Sequence, residues 1–242
     1  MTKFHMMNFI HKFICGNKNS TLKQKAKSAF SLQKKNIKCV WNCINYNDFG
    51  IERIFRLFLV CIQFIFPGLY IREISGKKNI LTRKICNELW VIVKILFYIV
   101  ALYIDGKKYL YWICIYLIAE TLCYLLGLIF LSTEYKGTAS YKRNLLIAII
   151  NYIEITLGFA VVYYYAFRDA IYGLKNSIDA VYFSIISATT IGYGDMYPTT
   201  NLAKMICASQ AVISFLFTVL IIGIFLSNFN KEGFMNEKSR EG

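Results

Sequence analysis

Thr190, Ile191, Gly192, Tyr193, Gly194 and Asp195 form the stretch whose residue types and order could do chemistry. Glycine lacks a Cβ and reaches positive φ freely, so Gly192 and Gly194 let successive carbonyls turn to one side instead of alternating as in a strand. A row of oxygens results. Repeated around a symmetry axis, the carbonyls of Thr190, Ile191, Gly192 and Tyr193, with the Thr190 hydroxyl, would form rings able to replace the water around a dehydrated cation. This is coordination and passage rather than covalent catalysis. No constellation of His, Cys and carboxylates accompanies it, so the chain does not read as an enzyme.

Two long apolar runs, 145–167 and 202–227, bracket the stretch. Each is long enough to cross a hydrocarbon core of about 30 Å at about 1.5 Å per residue. The glycines therefore lie in a re-entrant segment, and irregular backbone at membrane depth is tolerated only where protein buries it or where it lines a water-filled path. Before the segment, Ser177 offers an N-cap and Asp179 suits the positive end of a helix dipole. Residues 178–188 then supply about three turns of helix. After Pro198 a second helix is expected from Asn201 to about Leu226, with the small residues Ala208, Ser209, Ala211 and Ser214 allowing close approach or lining a cavity.

These residues resemble the selectivity filter of the tetrameric potassium channels, whose signature is TxGYG followed by Asp. The resemblance covers 145–227, in the order outer helix, pore helix, filter, inner helix. It implies an all-α membrane protein whose pore module is completed by four chains, a homotetramer, with K⁺ as the transported ion and Thr190 to Gly194 as its ligands. It also implies that Thr189, Tyr182, Phe183 and Asp195 support the filter, the two aromatics packing behind it. Ile186 departs from the pattern, since some relatives place a buried Glu there to hold the filter Asp. Tyr182 is the expected partner of Asp195 instead. Ser214 stands where many relatives have a hinge glycine, and Gly223 is the remaining flexible point.

The composition agrees with a small polytopic membrane protein: 242 residues, 57% of them apolar and 17% aromatic. The net charge of +14 comes from basic residues flanking apolar runs, which reads as cytoplasmic loops rather than a nucleic-acid surface. Eight cysteines show no paired spacing of a disulfide framework; Cys39 and Cys43 are the only close pair, with no second pair to complete a metal site.

The expected domains are a basic cytoplasmic arm at 1–53, membrane-associated helices and a linker at 54–144, the pore module at 145–227 and a short cytoplasmic tail at 228–242. Phe4, Met7, Ile10, Phe13 and Ile14 recur at helical spacing, which fits a surface helix on acidic lipid; a disordered basic tail is the competing reading. Residues 90–104 and 109–131 read as a transmembrane hairpin closed by 105–108. The run 57–71 is short, is broken at Pro67 and has basic residues on both flanks. It is read as interfacial or re-entrant, which leaves four spans and puts both termini in the cytoplasm of a cell-membrane protein. No segment has Arg or Lys at every third position, as an S4-type voltage sensor needs. The tail is too short for a nucleotide- or calcium-binding domain, so gating is expected from the arm, the lipid or the filter.

Lys94 and Glu120 fall at nearly one depth of the hairpin, which predicts an intramembrane ion pair. The alternatives are a Lys94 that snorkels to the interface, with Glu120 protonated or facing Asn151, and a Lys94 that pairs with Glu154 of the outer helix. At the level of function, the competing reading is a non-conducting membrane adaptor whose basic arm is the working part.

Overall fold

A computed structural model describes residues 26–42, 50–104, 109–131 and 141–238. The proposed surface helix within 1–25, the hairpin loop 105–108 and most of the 132–144 linker lie outside the described residues, as do Cys15 and Cys43.

The elements in chain order are α1 (Ala29–Trp41), α2 (Gly50–Ile62), α3 (Pro67–Gly76), α4 (Ile80–Tyr103), α5 (Leu110–Phe130), α6 (Tyr141–Ala166), a 3₁₀ turn (Arg168–Ala170), β1 (Ile171–Tyr172), α7 (Ser177–Ala188), β2 (Tyr197–Pro198) and α8 (Asn201–Lys238). Among the described residues, four helices, α4, α5, α6 and α8, are long and apolar enough to cross a membrane. The helix pair α2 and α3 is bent by 63° and would make a fifth only as one broken span.

The chain groups into two compact units. The first holds α1 to α3, α4 up to Trp90 and the end of α5 from Cys123. Ser28 caps α1, its hydroxyl accepting from Ser31 N at 3.2 Å. The Glu73 carboxylate of α3 reaches the same helix end, accepting from Ala29 N at 2.5 Å, Ser28 Oγ at 3.0 Å and Phe30 N at 3.2 Å. An anion there satisfies N–H groups that have no partner inside the helix and meets the positive end of its dipole. Gln33 of α1 donates to the Val60 carbonyl of α2 at 2.9 Å, inside the unit's core. Arg56, buried on α2, donates to the Phe130 carbonyl at the end of α5 at 2.9 Å, satisfying one of that helix's last acceptors. Pro67 occupies the first turn of α3, which its missing N–H tolerates, and Phe66 before it is extended.

The second unit holds Val91–Leu122 and the chain from Tyr135 onward. The first hairpin leg, short if read as 90–104, belongs to a helix that starts at Ile80 and spans 24 residues. Gly158 of α6 allows close approach, because a Cβ there would lie 2.9 Å from the Ile118 side chain of α5 and 3.3 Å from the Tyr98 ring of α4. At the upper end of α4, Tyr165 donates to the Ala101 carbonyl at 2.7 Å and also to Ile104 O.

The ion pair expected between Lys94 and Glu120 is replaced by another. Lys94 Nζ lies 3.0 Å from Glu154 Oε1 of α6 and donates to Thr121 Oγ1 at 2.5 Å. Thr121 in turn donates to Glu154 Oε1 at 2.9 Å. Residues at one depth of two helices meet only where rotation about the helix axes turns them toward each other. Residues 120 and 121 point about 100° apart, and it is the Thr121 face that meets Lys94.

The inner helix also differs from expectation. It does not end near Leu226 but runs to Lys238, through most of the segment assigned to the tail, and passes Ser214 and Gly223 without a break.

Candidate functional site

Helix α7 is short, 12 residues, and is started by Asn176 rather than Ser177. The Asn176 side chain accepts from Asp179 N at 2.9 Å while the Asp179 carboxylate accepts from Asn176 N at 3.1 Å. This reciprocal box satisfies donors on both sides of the helix start, and Ser177 becomes the first helical residue.

At the other end of α7, Thr189 is the C-cap, its hydroxyl donating to Ile185 O at 2.8 Å. The backbone then leaves the helix while still tied to it: Thr190 N donates to Ser187 O at 3.3 Å, and Ile191 N to Ile186 O at 3.0 Å. Positive φ occurs at Thr190 (58°), Gly192 (54°) and Gly194 (81°), but not at Ile191 or Tyr193. The sign of φ thus alternates along the segment. Such alternation lets carbonyls along the chain point to one side, which a regular strand forbids. The glycines were legible as positive-φ positions in the sequence. Thr190 was not, because a β-branched residue is among the last expected in that region.

From Thr189 to Asp195 the side chains and backbone are exposed on the single chain, Tyr193 at 70% and Ile191 at 54%. Tyr182 donates to Asp195 Oδ2 at 2.9 Å, the contact expected of that pair, and joins the middle of α7 to the end of the segment. Phe183 turns inward instead, with 3% of its surface exposed, and meets the Tyr163 ring of α6 edge-on at 5.0 Å. The two adjacent aromatics therefore face different partners, about 100° apart around α7. Ile186 is buried, and its carbonyl is the acceptor for Ile191 N.

Helix α6 braces this arrangement. Tyr152 donates to the Ala188 carbonyl, the last residue of α7, at 2.8 Å. Beyond the segment, β2 pairs with β1 in antiparallel register, Ile171 with Pro198 and Tyr172 with Tyr197, and Thr199 N donates to Ala170 O at 2.8 Å. The connection leaving α6 and the one entering α8 are thereby joined.

Sequence reasoning missed one group altogether: Tyr163, Ser184 and Gln210, one residue from each of α6, α7 and α8, all fully buried and hydrogen-bonded together. Gln210 carried the only available signal, an amide side chain inside an otherwise apolar run.

Residues 151–231, roughly a third of the chain, match the sequence profile of the family Ion_trans_2, described as "Ion channel". Potassium channel K2 of Plasmodium berghei is 44% identical over 63 residues, covering 24% of this chain and 4% of its own length. Potassium voltage-gated channel subfamily A member 6 of Mus musculus is 34% identical over 93 residues, 38% of this chain and 17% of that protein. Two-pore potassium channel 4 of Arabidopsis thaliana is 33% identical over 76 residues, 31% of this chain and 27% of that protein. The chain thus spans less than a third of the length of each of these relatives. No solved structure matches it. The segment that holds α7, the TIGYGD turn and the apolar part of α8 is therefore the part of the chain that is similar to ion channels, potassium channels among them.

Proposed function

We propose that this chain is one subunit of a potassium-selective channel that passes K⁺ down its electrochemical gradient through a four-fold, carbonyl-lined filter. The observation that carries the reading is the alternating φ of Thr190 to Gly194, on an exposed segment held between a short re-entrant helix and a long apolar one. The ligands are the carbonyls of Thr190, Ile191, Gly192 and Tyr193 with the Thr190 hydroxyl, and Gly194 completes the turn. Asp195, Tyr182, Phe183 and Thr189 hold the segment in place. A single chain contributes one wall of such a filter, so the assembly is a homotetramer in a lipid bilayer. The exposure of Ile178 (77%) on α7, of Tyr193 in the filter segment and of Met205 (66%) on α8 supports it, because these apolar side chains then meet neighbouring subunits or lipid.

The protein sits in the cell membrane with both termini cytoplasmic, the bent pair α2 and α3 lying at the interface rather than crossing. It is not an enzyme and binds no nucleic acid. Voltage gating, named for one relative, is not carried over, because no segment of this sequence repeats Arg or Lys at every third position.

Flux from purified protein in liposomes tests the reading. A K⁺ gradient should drive uptake, and a matched Na⁺ gradient should drive little. Equal rates for the two ions would remove the potassium-selective reading, and no flux of either with tetramer present would remove it and leave the adaptor reading standing.

A further inference from the structure

Behind the pore helix the three helices of the pore module share a directed circuit of hydrogen bonds that ends where it began, on α6. The Tyr163 hydroxyl of α6 donates to Gln210 Oε1 of α8 at 2.6 Å. Gln210 Nε2 donates to Ser184 of α7 twice, to its Oγ at 2.8 Å and its carbonyl at 3.0 Å. Ser184 Oγ then donates to the Thr156 carbonyl of α6 at 2.7 Å. Thr156 and Tyr163 are seven residues apart, about two helical turns, and so lie on one face of α6. Tyr163, Ser184 and Gln210 are each 0% exposed.

The amide of Gln210 is the part that cannot be exchanged. Its oxygen accepts the hydrogen bond of the tyrosine hydroxyl while its nitrogen donates to two acceptors, so one side chain is acceptor toward α6 and donor toward α7 at once. Every polar atom of the circuit has a partner. A buried network satisfied in this way fixes one geometry, whereas a partly satisfied one would leave costly orphans. The Ser184 carbonyl it grips lies in α7 three residues before Ser187, whose carbonyl holds Thr190 N. A rotation of α8 about its axis swings Gln210 off Ser184 and pulls on the helix that carries the filter.

We infer that Gln210 is a positioning residue for selectivity: through Ser184 it sets the orientation of the pore helix from the inner helix, and Tyr163 sets the orientation of Gln210. The inference rests on the potassium-channel reading above and adds the route by which movement of α8 reaches the filter. It differs from simple packing, which any side chain of equal volume would supply.

The test uses the full chain in liposomes, with K⁺ and Na⁺ flux measured in parallel and tetramer recovery measured separately. Wild type comes first: if it shows no preference for K⁺, the channel reading itself fails and this inference goes with it. With a selective wild type, Gln210→Met keeps volume and removes all three bonds, and Tyr163→Phe removes one hydroxyl and frees the amide to turn. Both should lower the K⁺ to Na⁺ flux ratio by about tenfold, the worth of one well-made buried hydrogen bond, while tetramer is still recovered. Gln210→Glu keeps the acceptor and loses the donors, and should fall with them. If Gln210→Met does not assemble, Tyr163→Phe decides alone. A ratio within about twofold of wild type in Tyr163→Phe, no more than an unrelated surface change produces, overturns the inference.

Discussion

Thr190 holds a backbone conformation that costs a non-glycine residue about 1–2 kcal/mol, and it persists because Thr189 and Ile191 on either side are tied to α7. Gly192 and Gly194 share that region without cost, and each has open space where a Cβ would sit. Substitution at Gly192 therefore meets no clash within the chain, only the conformational penalty. Gly192→Ala should leave the tetramer intact and abolish K⁺ flux, because relief of the strain turns a carbonyl away from its ring. Normal flux from an assembled Gly192→Ala channel would show that the filter lies elsewhere. A second residue-scale prediction concerns Lys94 and Glu154, which are 3% and 0% exposed and 3.0 Å apart. Breaking such a pair on one side typically costs about 3–5 kcal/mol, whereas removing both charges leaves nothing uncompensated. Lys94→Met and Glu154→Gln should each lower tetramer yield in detergent more than the double variant does. Yields that simply multiply in the double variant would mean the two charges do not interact.

Among the elements, α1 depends on a residue from another helix. Burial would raise the Glu73 carboxyl, but the N–H groups of Phe30 and Ala29, the Ser28 hydroxyl and the Lys77 ammonium together hold it below its ordinary value. A carboxylate with a depressed folded-state pKa contributes stability that is present above its unfolded value and lost as pH falls through the folded one. Glu73→Gln should speed amide exchange across Ala29–Trp41 at neutral pH, and the difference from wild type should vanish in acid. Comparing the two proteins at each pH cancels the intrinsic chemistry of exchange. A variant that exchanges like wild type at neutral pH would mean that Ser28 alone caps the helix. Helix α7 shows the same logic in a self-contained form, with Asn176 and Asp179 completing each other's bonds.

At the scale of the whole molecule, four described helices are long and apolar enough to cross a membrane, and the proposed topology has all four crossing, which returns the chain to the side on which it began. In that proposed topology the basic residues on both flanks of the bent pair α2 and α3 put 1–53 and 72–89 on one cytoplasmic side. Single cysteines at Ser20 and Lys78 in a cysteine-free background test this with an impermeant thiol reagent on intact cells. Lys78 is exposed, whereas Ser75 nearby is buried with its hydroxyl bonded to Ile71 O. Neither should be labelled from outside, and labelling of one alone would make the bent pair a true span. The apolar runs and the TIGYGD order are local properties, so the sequence by itself determined that α4, α5, α6 and α8 are long apolar helices and which backbone segment could face an ion, but not where each helix ends: α8 runs on to Lys238, past Leu226, and Asn176 rather than Ser177 caps α7. It also named Tyr182 as the partner of Asp195, since both lie within one short stretch of the resembling motif. Which face of each helix meets which neighbour depends on rotation about its axis, and one residue of register carries about 100°. That is why Lys94 meets Thr121 and Glu154 rather than Glu120, and why Arg56 reaches Phe130 across 74 positions. In the sequence Gln210 is an amide within an apolar run; only the packing of three helices, which brings Tyr163 and Ser184 to its two ends, decided that it is bonded at both.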